Sequence, residues 1–338
     1  MLDLARLRVL RELKIRGTVG AVARALGYSP SAVSQQLAQL QRDVGVPLVE
    51  RAGRRLRLTE AGEVLAGHAE ALLARAQQAE EETAAASGRV VGVVRVVGYQ
   101  TALINLLAPV LPELARRHPE LTVEVIDEEF TRVLQALVLR EVDIVITDEY
   151  SALPRPRRPE LVAEPLITEP MRLALPEGHP AAASGGPVRL ADLAEESWVT
   201  GHPGTNHAEL LERACVDLAG FRPDIRHRSN DIHVFMAMVR HAGAVCLFPD
   251  VGRPESFPGV VVRDLADARL RRHIVMWTRV GADVRPSVRA VQEAVRDSAA
   301  ALTARFPSLT LMRPDAGEHA GEHAGESAGE DAGERARE

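Results

Sequence analysis

Side chains that hydrogen bond to nucleotide bases and phosphates are concentrated between residues 29 and 57. A glutamine amide can donate and accept together at an adenine edge, whereas serine and arginine suit phosphate oxygens. The candidates at or beside such positions are Ser29, Pro30, Ser31, Ser34, Gln35, Gln36, Gln39, Arg51, Arg54, Arg55 and Arg57. The pattern predicts a surface on which the glutamines read bases of double-stranded DNA and the serines and arginines hold its backbone.

Three short helices are predicted to position these side chains. Leucines at three-residue steps from Leu4 to Leu13 indicate the first helix. Gly17 and Gly27 are typical helix ends, while Thr18 and Ser29 are typical N-caps of the helices that follow. The third helix then places its apolar residues on one side and its serines and glutamines on the other.

The spacing within residues 19–40 is that of a helix-turn-helix. Ala23 supplies the small residue where the helices meet, Gly27 the turn and Val33 the apolar contact of the second helix. The polar face of that helix would fit a major groove. Residues 46–59 form two short runs around Ala52 and Gly53, which predicts a basic hairpin or wing. A solvated three-helix module is the alternative, which the combined spacing and basic wing disfavour.

The net charge of −6 conceals an uneven distribution. Residues 1–60 carry 11 Lys or Arg against 5 Asp or Glu, and residues 314–338 carry 2 against 8. The excess of basic residues in 1–60 is consistent with binding to nucleic acid, although the net charge of the whole chain is not. Two cysteines make no disulfide framework, no apolar run is long enough to span a bilayer, and the N-terminus does not resemble a secretion signal. We expect a cytoplasmic protein with no membrane contact.

Residues 59–87 form a long run without proline that predicts a linker helix of about 28 residues, roughly 42 Å in length. Leu65, Leu72 and Ala79 recur at seven-residue spacing, which favours dimerisation, with packing on its own chain as the alternative. Residues 313–338 repeat Ala-Gly-Glu and are predicted to be disordered. His319 and His323 of this tail are expected to be solvated rather than metal ligands.

From Val90 onward, short β-branched runs alternate with helical patterns over some 220 residues. We therefore expect an α/β fold overall, with a mainly parallel sheet. Strands are predicted at 90–98, 121–127, 142–147, 172–175, 198–200, 244–248 and 273–277, and helices at 103–118, 130–141, 205–218, 232–241 and 287–305.

The run GYSPSAVSQQLAQLQRDVGVPLVERAGRRLRLTEAG closely resembles the N-terminal winged helix of LysR-type transcriptional regulators. Downstream, LAPVLPELARRHPELTVEV, REVDIVIT, MRLALPEGHP, VRLADLAEESWV, AGFRPDI and HAGAVCLFPD resemble landmarks of the effector domain of that family. The resemblance covers most of the chain. Gly20, Pro30, Ser31 and Val49 depart from the common residues, which affects only the base preferences of Pro30 and Ser31.

The resemblance implies a winged helix-turn-helix at residues 1–58, a dimerisation helix at 59–87, an effector domain at 88–312 and the tail at 313–338. The effector domain would resemble a type 2 periplasmic binding protein, with one lobe at 89–163 and 269–306 and the other at 164–268. Two crossover strands would join the lobes, near 161–167 and 263–272. Implied partners are promoter DNA, a small-molecule effector, further copies in a homodimer or homotetramer, and RNA polymerase. No cofactor or metal is implied.

The candidate residues of the effector cleft are those at the ends of the predicted strands. They are Gln100, Thr101, Glu128, Thr147, Asp148, Thr200, Gly201, His202, Asn230, Asp231 and Phe248. The acidic residues near this cleft, Asp127 among them, suggest an effector with an amine or another hydrogen-bond donor. Each nominated residue could instead be a cap or a loop residue without a ligand.

Two other classes of protein are the alternatives. An enzyme is disfavoured, because Cys215 and Cys246 are expected to be buried, and His202 and His207 lack a carboxylate or cysteine at metal-ligand spacing. No GxGxxG or P-loop sequence occurs. A regulator that binds DNA without any effector is the remaining alternative, although the long α/β region would then have no evident role.

Overall fold

The computed structural model describes residues 1–52, 55–128, 133–151, 153, 156–183, 185–253, 256–266 and 270–312, and only the backbone of residues 51, 52 and 55. The predicted role of Arg54, the predicted disorder of the tail and the expectation for His319 and His323 concern residues outside this part of the chain.

Three helices and a hairpin form the N-terminal module. They are α1 (Leu4–Arg16), α2 (Val19–Leu26), α3 (Pro30–Val44), β1 (Val49–Ala52) and β2 (Arg55–Leu58). The Thr18 and Ser29 side chains accept hydrogen bonds from the first turns of α2 and α3, which confirms the predicted caps. Gly17 and Gly27 end α1 and α2 in the left-handed conformation that glycine adopts without strain. The two strands pair antiparallel, as expected of a wing.

A 26-residue helix, α4 (Glu60–Ala85), follows the wing and is capped by Thr59. Its first half packs on its own chain, because Ala66 and Ala69 are buried in the core of the N-terminal module. Val64 and Leu72 on the same helix are exposed, at 59% and 43%. The helix therefore buries part of its apolar surface within the chain and leaves another part exposed to solvent.

The C-terminal region is built on one mixed sheet. Its strands are β3 (Gly92–Gly98), β4 (Leu121–Asp127), β5 (Ile144–Tyr150), β6 (Leu161–Pro176), β9 (Cys246–Pro249), β10 (Val260–Arg263), β11 (Arg271–Arg279) and β12 (Thr310–Leu311). The order is β10-β6-β11-β5-β3-β4, with β9 and β12 also on β6. Within the described part of this sheet, only the pairs β3 with β4 and β3 with β5 are parallel, so the prediction of a mainly parallel sheet was wrong. A separate parallel pair joins β7 (Ser197–Thr200) to β8 (Asp224–Arg228).

Two long strands cross between two lobes. β6 runs for 16 residues and covers both the crossover expected near 161–167 and the short strand predicted at 172–175, as one continuous strand. Its first part pairs with β11, and its last part pairs with β9 and β10 in the second lobe. A strand that serves two cores has no single apolar period, which explains why its length was missed.

Helices cover the lobes. They are α5 (Gln100–Ala102), α6 (Leu111–Arg117), α7 (Val133–Val138), α8 (Pro180–Ala183), α9 (Asn206–Arg213), α10 (Ile232–Ala242) and α11 (Pro286–Arg305). A π-helical turn and a 3-10 turn join α5 to α6 where the sequence predicted a helix at 103–118. Among the described residues, no helix combines the length and apolar character needed to cross a membrane.

Candidate functional sites

The polar face of α3 is presented outward. Ser31, Ser34 and Gln35 are exposed, whereas Gln36 and Gln39 are half-buried. The side chains of Gln35 and Gln36 make no hydrogen bond within the described part of the chain, so their amides are available to base edges. The serines are used locally: Ser29 caps α3, Ser31 hydrogen bonds the Ser29 hydroxyl at 2.9 Å, and Ser34 donates to the Pro30 carbonyl at 3.0 Å.

Gln39 differs from the other two glutamines because its amide is held inside the module. Its Nε2 donates to Asp43 Oδ1 at 2.8 Å, and its Oε1 accepts from Arg42. Arg6 also pairs with Asp43. The hydrogen bond from Gln39 and the charge of Arg6 hold the pKa of Asp43 below its usual range. Gln39 would have to leave this network to read a base.

The two strands of the wing pair with Glu50 opposite Arg57 and Ala52 opposite Arg55. The Arg57 side chain is exposed. The sequence did not single out Gln41, whose Oε1 accepts from the backbone N–H groups of Leu48 and Val49 and so ties the wing to α3.

A cavity of about 80 Å³ lies between the two lobes at the carboxyl ends of their strands. Six of the predicted effector residues line it: Gln100, Thr101, Asp148, Gly201, Asn230 and Phe248. The other lining residues were not predicted from the sequence. They are Tyr99, Tyr150, Thr205, Asn206, His207, Ser229, Ile232, Phe235, Pro249 and Arg272.

Five predicted effector residues lie outside the cavity wall. Thr147 is fully buried, and its hydroxyl accepts a hydrogen bond from Trp277 Nε1 at 3.0 Å, on the side of the strand away from the cavity. Thr200 is also buried and is 2.9 Å from His207 Nδ1, one layer behind the wall. Glu128 and His202 are exposed, and Asp231 caps α10 through its Oδ1. Strand ends alone could not show which side of the strand each residue faces.

An ion pair between the two crossover strands lies beside the cavity, and its arginine, Arg272, lines the wall. Glu169 of β6 lies opposite Arg272 of β11, and Arg272 Nη2 is 2.6 Å from Glu169 Oε1. Glu169 Oε2 also accepts from the Val251 N–H at 2.6 Å, and Arg272 Nη2 donates to Thr101 Oγ1 at 3.2 Å. Charged residues within otherwise apolar strands were the available sequence signal for this pair.

Hydrogen bonds cross the cavity from one lobe to the other. Gln100 Oε1 accepts from the Ile232 N–H at 2.8 Å, and Asn206 Nδ2 donates to Asp148 Oδ1 at 2.9 Å. Tyr150 donates to Asp148 Oδ2 at 3.0 Å. A ligand that contacts these groups would alter the bonds that fix one lobe against the other.

His207 lies in the cavity wall as a neutral imidazole. Burial lowers its pKa, and its Nε2 is 2.8 Å from the Leu247 carbonyl oxygen, which can only accept. Nε2 therefore carries the proton, and Nδ1 accepts from the Thr200 hydroxyl at 2.9 Å. Both ring nitrogens are thus satisfied within the protein.

Neither cysteine is placed for redox chemistry. Burial raises the pKa of Cys215 to about 12 and also raises the pKa of Cys246, so both remain thiols at neutral pH. Both side chains are buried in the cores of the second lobe. Within the described residues, no group of three or more His, Cys, Asp or Glu side chains is arranged to hold a metal ion.

Curated relatives of the chain are described as a gene activator and a transcriptional regulator. It is 37% identical over 177 residues to a "Probable hydrogen peroxide-inducible genes activator" of Mycobacterium xenopi, covering 52% of this chain and 91% of that protein. It is 32% identical over 218 residues to the "HTH-type transcriptional regulator ShiR" of Corynebacterium glutamicum, covering 63% and 71%.

Solved structures share the whole architecture. Full-length OxyR from Pseudomonas aeruginosa matches with a TM-score of 0.68 at 23% identity, covering 93% of this chain and 99% of that one. Full-length CbnR, solved in complex with its target DNA, matches with a TM-score of 0.56 at 22% identity, covering 88% and 100%. At these identities the likeness shows the fold.

Two family models match, and together they span both parts of the chain. Residues 4–63 match the model described as "Bacterial regulatory helix-turn-helix protein, lysR family". Residues 87–300 match the "LysR substrate binding domain". The order of a winged helix-turn-helix, a long helix and a two-lobed α/β region agrees with both. The protein therefore belongs to the LysR family of DNA-binding transcriptional regulators.

Proposed function

We propose that two or more copies of this protein bind a promoter site with two-fold symmetry, and that a small molecule in the interlobe cavity changes the binding. The observation that carries the proposal is the cavity itself, because residues of both lobes line it and hydrogen bonds cross it. A ligand that stabilises one arrangement of the lobes shifts the population of the whole assembly.

The DNA-binding role is proposed for the predicted set of α3 and wing residues. Two features support it: the free amides of Gln35 and Gln36, and the exposed Arg57. CbnR, which shares the fold, was solved with its target DNA. We place base recognition on the glutamines and phosphate contacts on Arg51, Arg54, Arg55 and Arg57.

A homodimer or homotetramer is proposed through α4, whose Val64 and Leu72 are exposed apolar residues. Residues 1–58, 59–87, 88–312 and 313–338 are the proposed domains. RNA polymerase is the proposed further partner, and the cytoplasm the proposed compartment, because promoter DNA and the transcription machinery meet there.

The test uses the full chain and the DNA upstream of its own gene. Binding should fall steeply with salt, and the pair Arg54→Ala and Arg55→Ala should weaken binding and flatten the salt dependence. Footprints should show two half-sites one or more helical turns apart. If the DNA affinity does not depend on salt concentration and is unchanged by both substitutions, the proposal is wrong.

A regulator that needs no effector is the alternative that fits the same N-terminal module. It predicts that no small molecule raises the melting temperature of the protein. A peroxide sensor is suggested by the name of the Mycobacterium relative. The two buried thiols disfavour cysteine oxidation as the signal, because thiolates are the species that react with peroxide.

A further inference from the structure

Two amide side chains in the cavity wall use their oxygen atoms within the protein. Gln100 Oε1 accepts from the Ile232 N–H at 2.8 Å, and Asn230 Oδ1 accepts from the His202 N–H at 3.0 Å. An amide has one oxygen and one NH₂ group. With the oxygens engaged, Gln100 and Asn230 offer hydrogen-bond donors to a ligand.

Two hydroxyls of the wall are engaged in the same way. Thr101 Oγ1 accepts from Arg272 at 3.2 Å, and Ser229 Oγ accepts from the Asp231 N–H at 3.0 Å. A hydroxyl that accepts a hydrogen bond still has its own proton to donate. Thr101 and Ser229 therefore add two more donors.

Tyr99 gives the strongest indication of the ligand group that the cavity would bind. Its side chain lines the cavity and is only 8% exposed, yet its buried hydroxyl has no hydrogen-bond partner among the described residues. The ring lies 5.0 Å from the Arg272 guanidinium. Burial raises the pKa of Tyr99, so the hydroxyl keeps its proton. A buried hydroxyl without a partner costs free energy that a ligand oxygen would recover.

We propose that the effector is a small carboxylate whose oxygens accept hydrogen bonds from the Tyr99 and Thr101 hydroxyls. Its apolar part would pack on the wall formed by Ile232, Phe235 and Phe248. The proposal rests on the proposed function, since it names the ligand class of the same cavity. Carboxylate oxygens make charge-assisted hydrogen bonds, which are stronger than those of neutral acceptors.

The same geometry argues against the amine suggested by the sequence. Glu128 and Asp127 do not line the cavity. Asp148 does, but it already accepts hydrogen bonds from Tyr150 and Asn206. The wall therefore presents mainly donors, and an ammonium group has donors only.

The test compares matched probes on the full-length protein: acetate, butanoate and benzoate, each with its amide and with the amine of similar size. We expect at least one carboxylate to raise the melting temperature, with a smaller rise for its amide and none for the amine. Tyr99→Phe should raise the Kd of that carboxylate about tenfold to a hundredfold, because the substitution removes a hydrogen bond to a charged group.

Tyr150→Phe is the matched control, because Tyr150 also lines the cavity but donates to Asp148. Without ligand, Tyr99→Phe should melt at or above the wild-type temperature, whereas Tyr150→Phe should melt lower. Tight binding of an amine, no binding of any carboxylate, or unchanged affinity in Tyr99→Phe would overturn the proposal. Binding of upstream DNA, measured on the same samples, shows separately whether the proposed function holds.

Discussion

Glu81 near the end of α4 forms a buried ion pair with Arg285 at the start of α11. Arg285 Nη2 is 2.8 Å from Glu81 Oε1, and the two side chains are 12% and 2% exposed. The Ser287 hydroxyl donates to the same carboxylate, and Arg285 Nη1 is 2.6 Å from Asp143 Oδ1. The linker helix is thus anchored to the α/β region by charge rather than by apolar packing alone.

Glu81→Ala should destabilise the protein by about 3 kcal/mol, because the buried Arg285 would keep only Asp143 as a counter-charge, and Asp143 is shared with Arg279. The free energy of unfolding from urea titration measures this. Glu120→Ala is the control: Glu120 pairs with Arg89 on the surface, so little change is expected. A Glu81→Ala protein as stable as the Glu120→Ala control would show that the Glu81–Arg285 ion pair does not hold the linker helix to the α/β region in solution.

The N-terminal module could be predicted closely from the sequence. Its helices end at glycines and begin at Thr18 and Ser29, and these signals are local, depending on backbone conformation and on one side-chain hydrogen bond each. The family resemblance added the two lobes and the crossover segments, which local patterns do not contain.

The cavity could be predicted only in part. Gln100 follows β3, Asp148 lies near the carboxyl end of β5, and both line the cavity as expected, but Tyr99 and Arg272 were missed. Arg272 reaches the cavity because β11 pairs with β6, a contact between residues 103 positions apart. Pairings over such separations are set by tertiary packing, and a single sequence carries no direct sign of them.

Thr147 provides a test of which strand face points away from the cavity. Thr147→Val should cost about 1–3 kcal/mol, because the buried Trp277 N–H loses its acceptor. Thr147→Ser keeps the hydroxyl and should lose much less. Affinity for a carboxylate probe should be unchanged in both variants. Loss of probe binding at unchanged stability would instead place Thr147 in the cavity.

The glutamines of α3 should differ in their effect on base preference. Gln35→Ala should cost about 1–3 kcal/mol at a selected site and far less on random DNA, since a free amide can make a bidentate contact to a base. Gln39→Ala should change the preference less, because Gln39 is held by Asp43. Selection from random duplexes followed by binding titrations measures both. Equal effects on selected and random DNA would assign Gln35 to the backbone.

The stability of the protein should fall as the pH drops below the ordinary histidine pKa of about 6.5. Burial lowers the pKa of His207, so in this range the unfolded chain binds a proton that the folded protein does not. His207→Gln should show a smaller loss between pH about 7.5 and about 5.5. Urea titrations at both pH values give the comparison. His273, whose pKa burial also lowers, is unchanged in both proteins and serves as the common background.

Cys215 and Cys246 should be unreactive in the native protein. Burial holds both as thiols, and only the thiolate attacks a disulfide reagent or peroxide at a useful rate. A colorimetric disulfide reagent should therefore label neither cysteine until denaturant is added, and hydrogen peroxide should leave DNA binding unchanged. The double variant Cys215→Ser and Cys246→Ala controls for oxidation elsewhere. Peroxide that alters DNA binding in the wild type but not in this variant would show that a buried thiol opens to solvent and acts as the sensor.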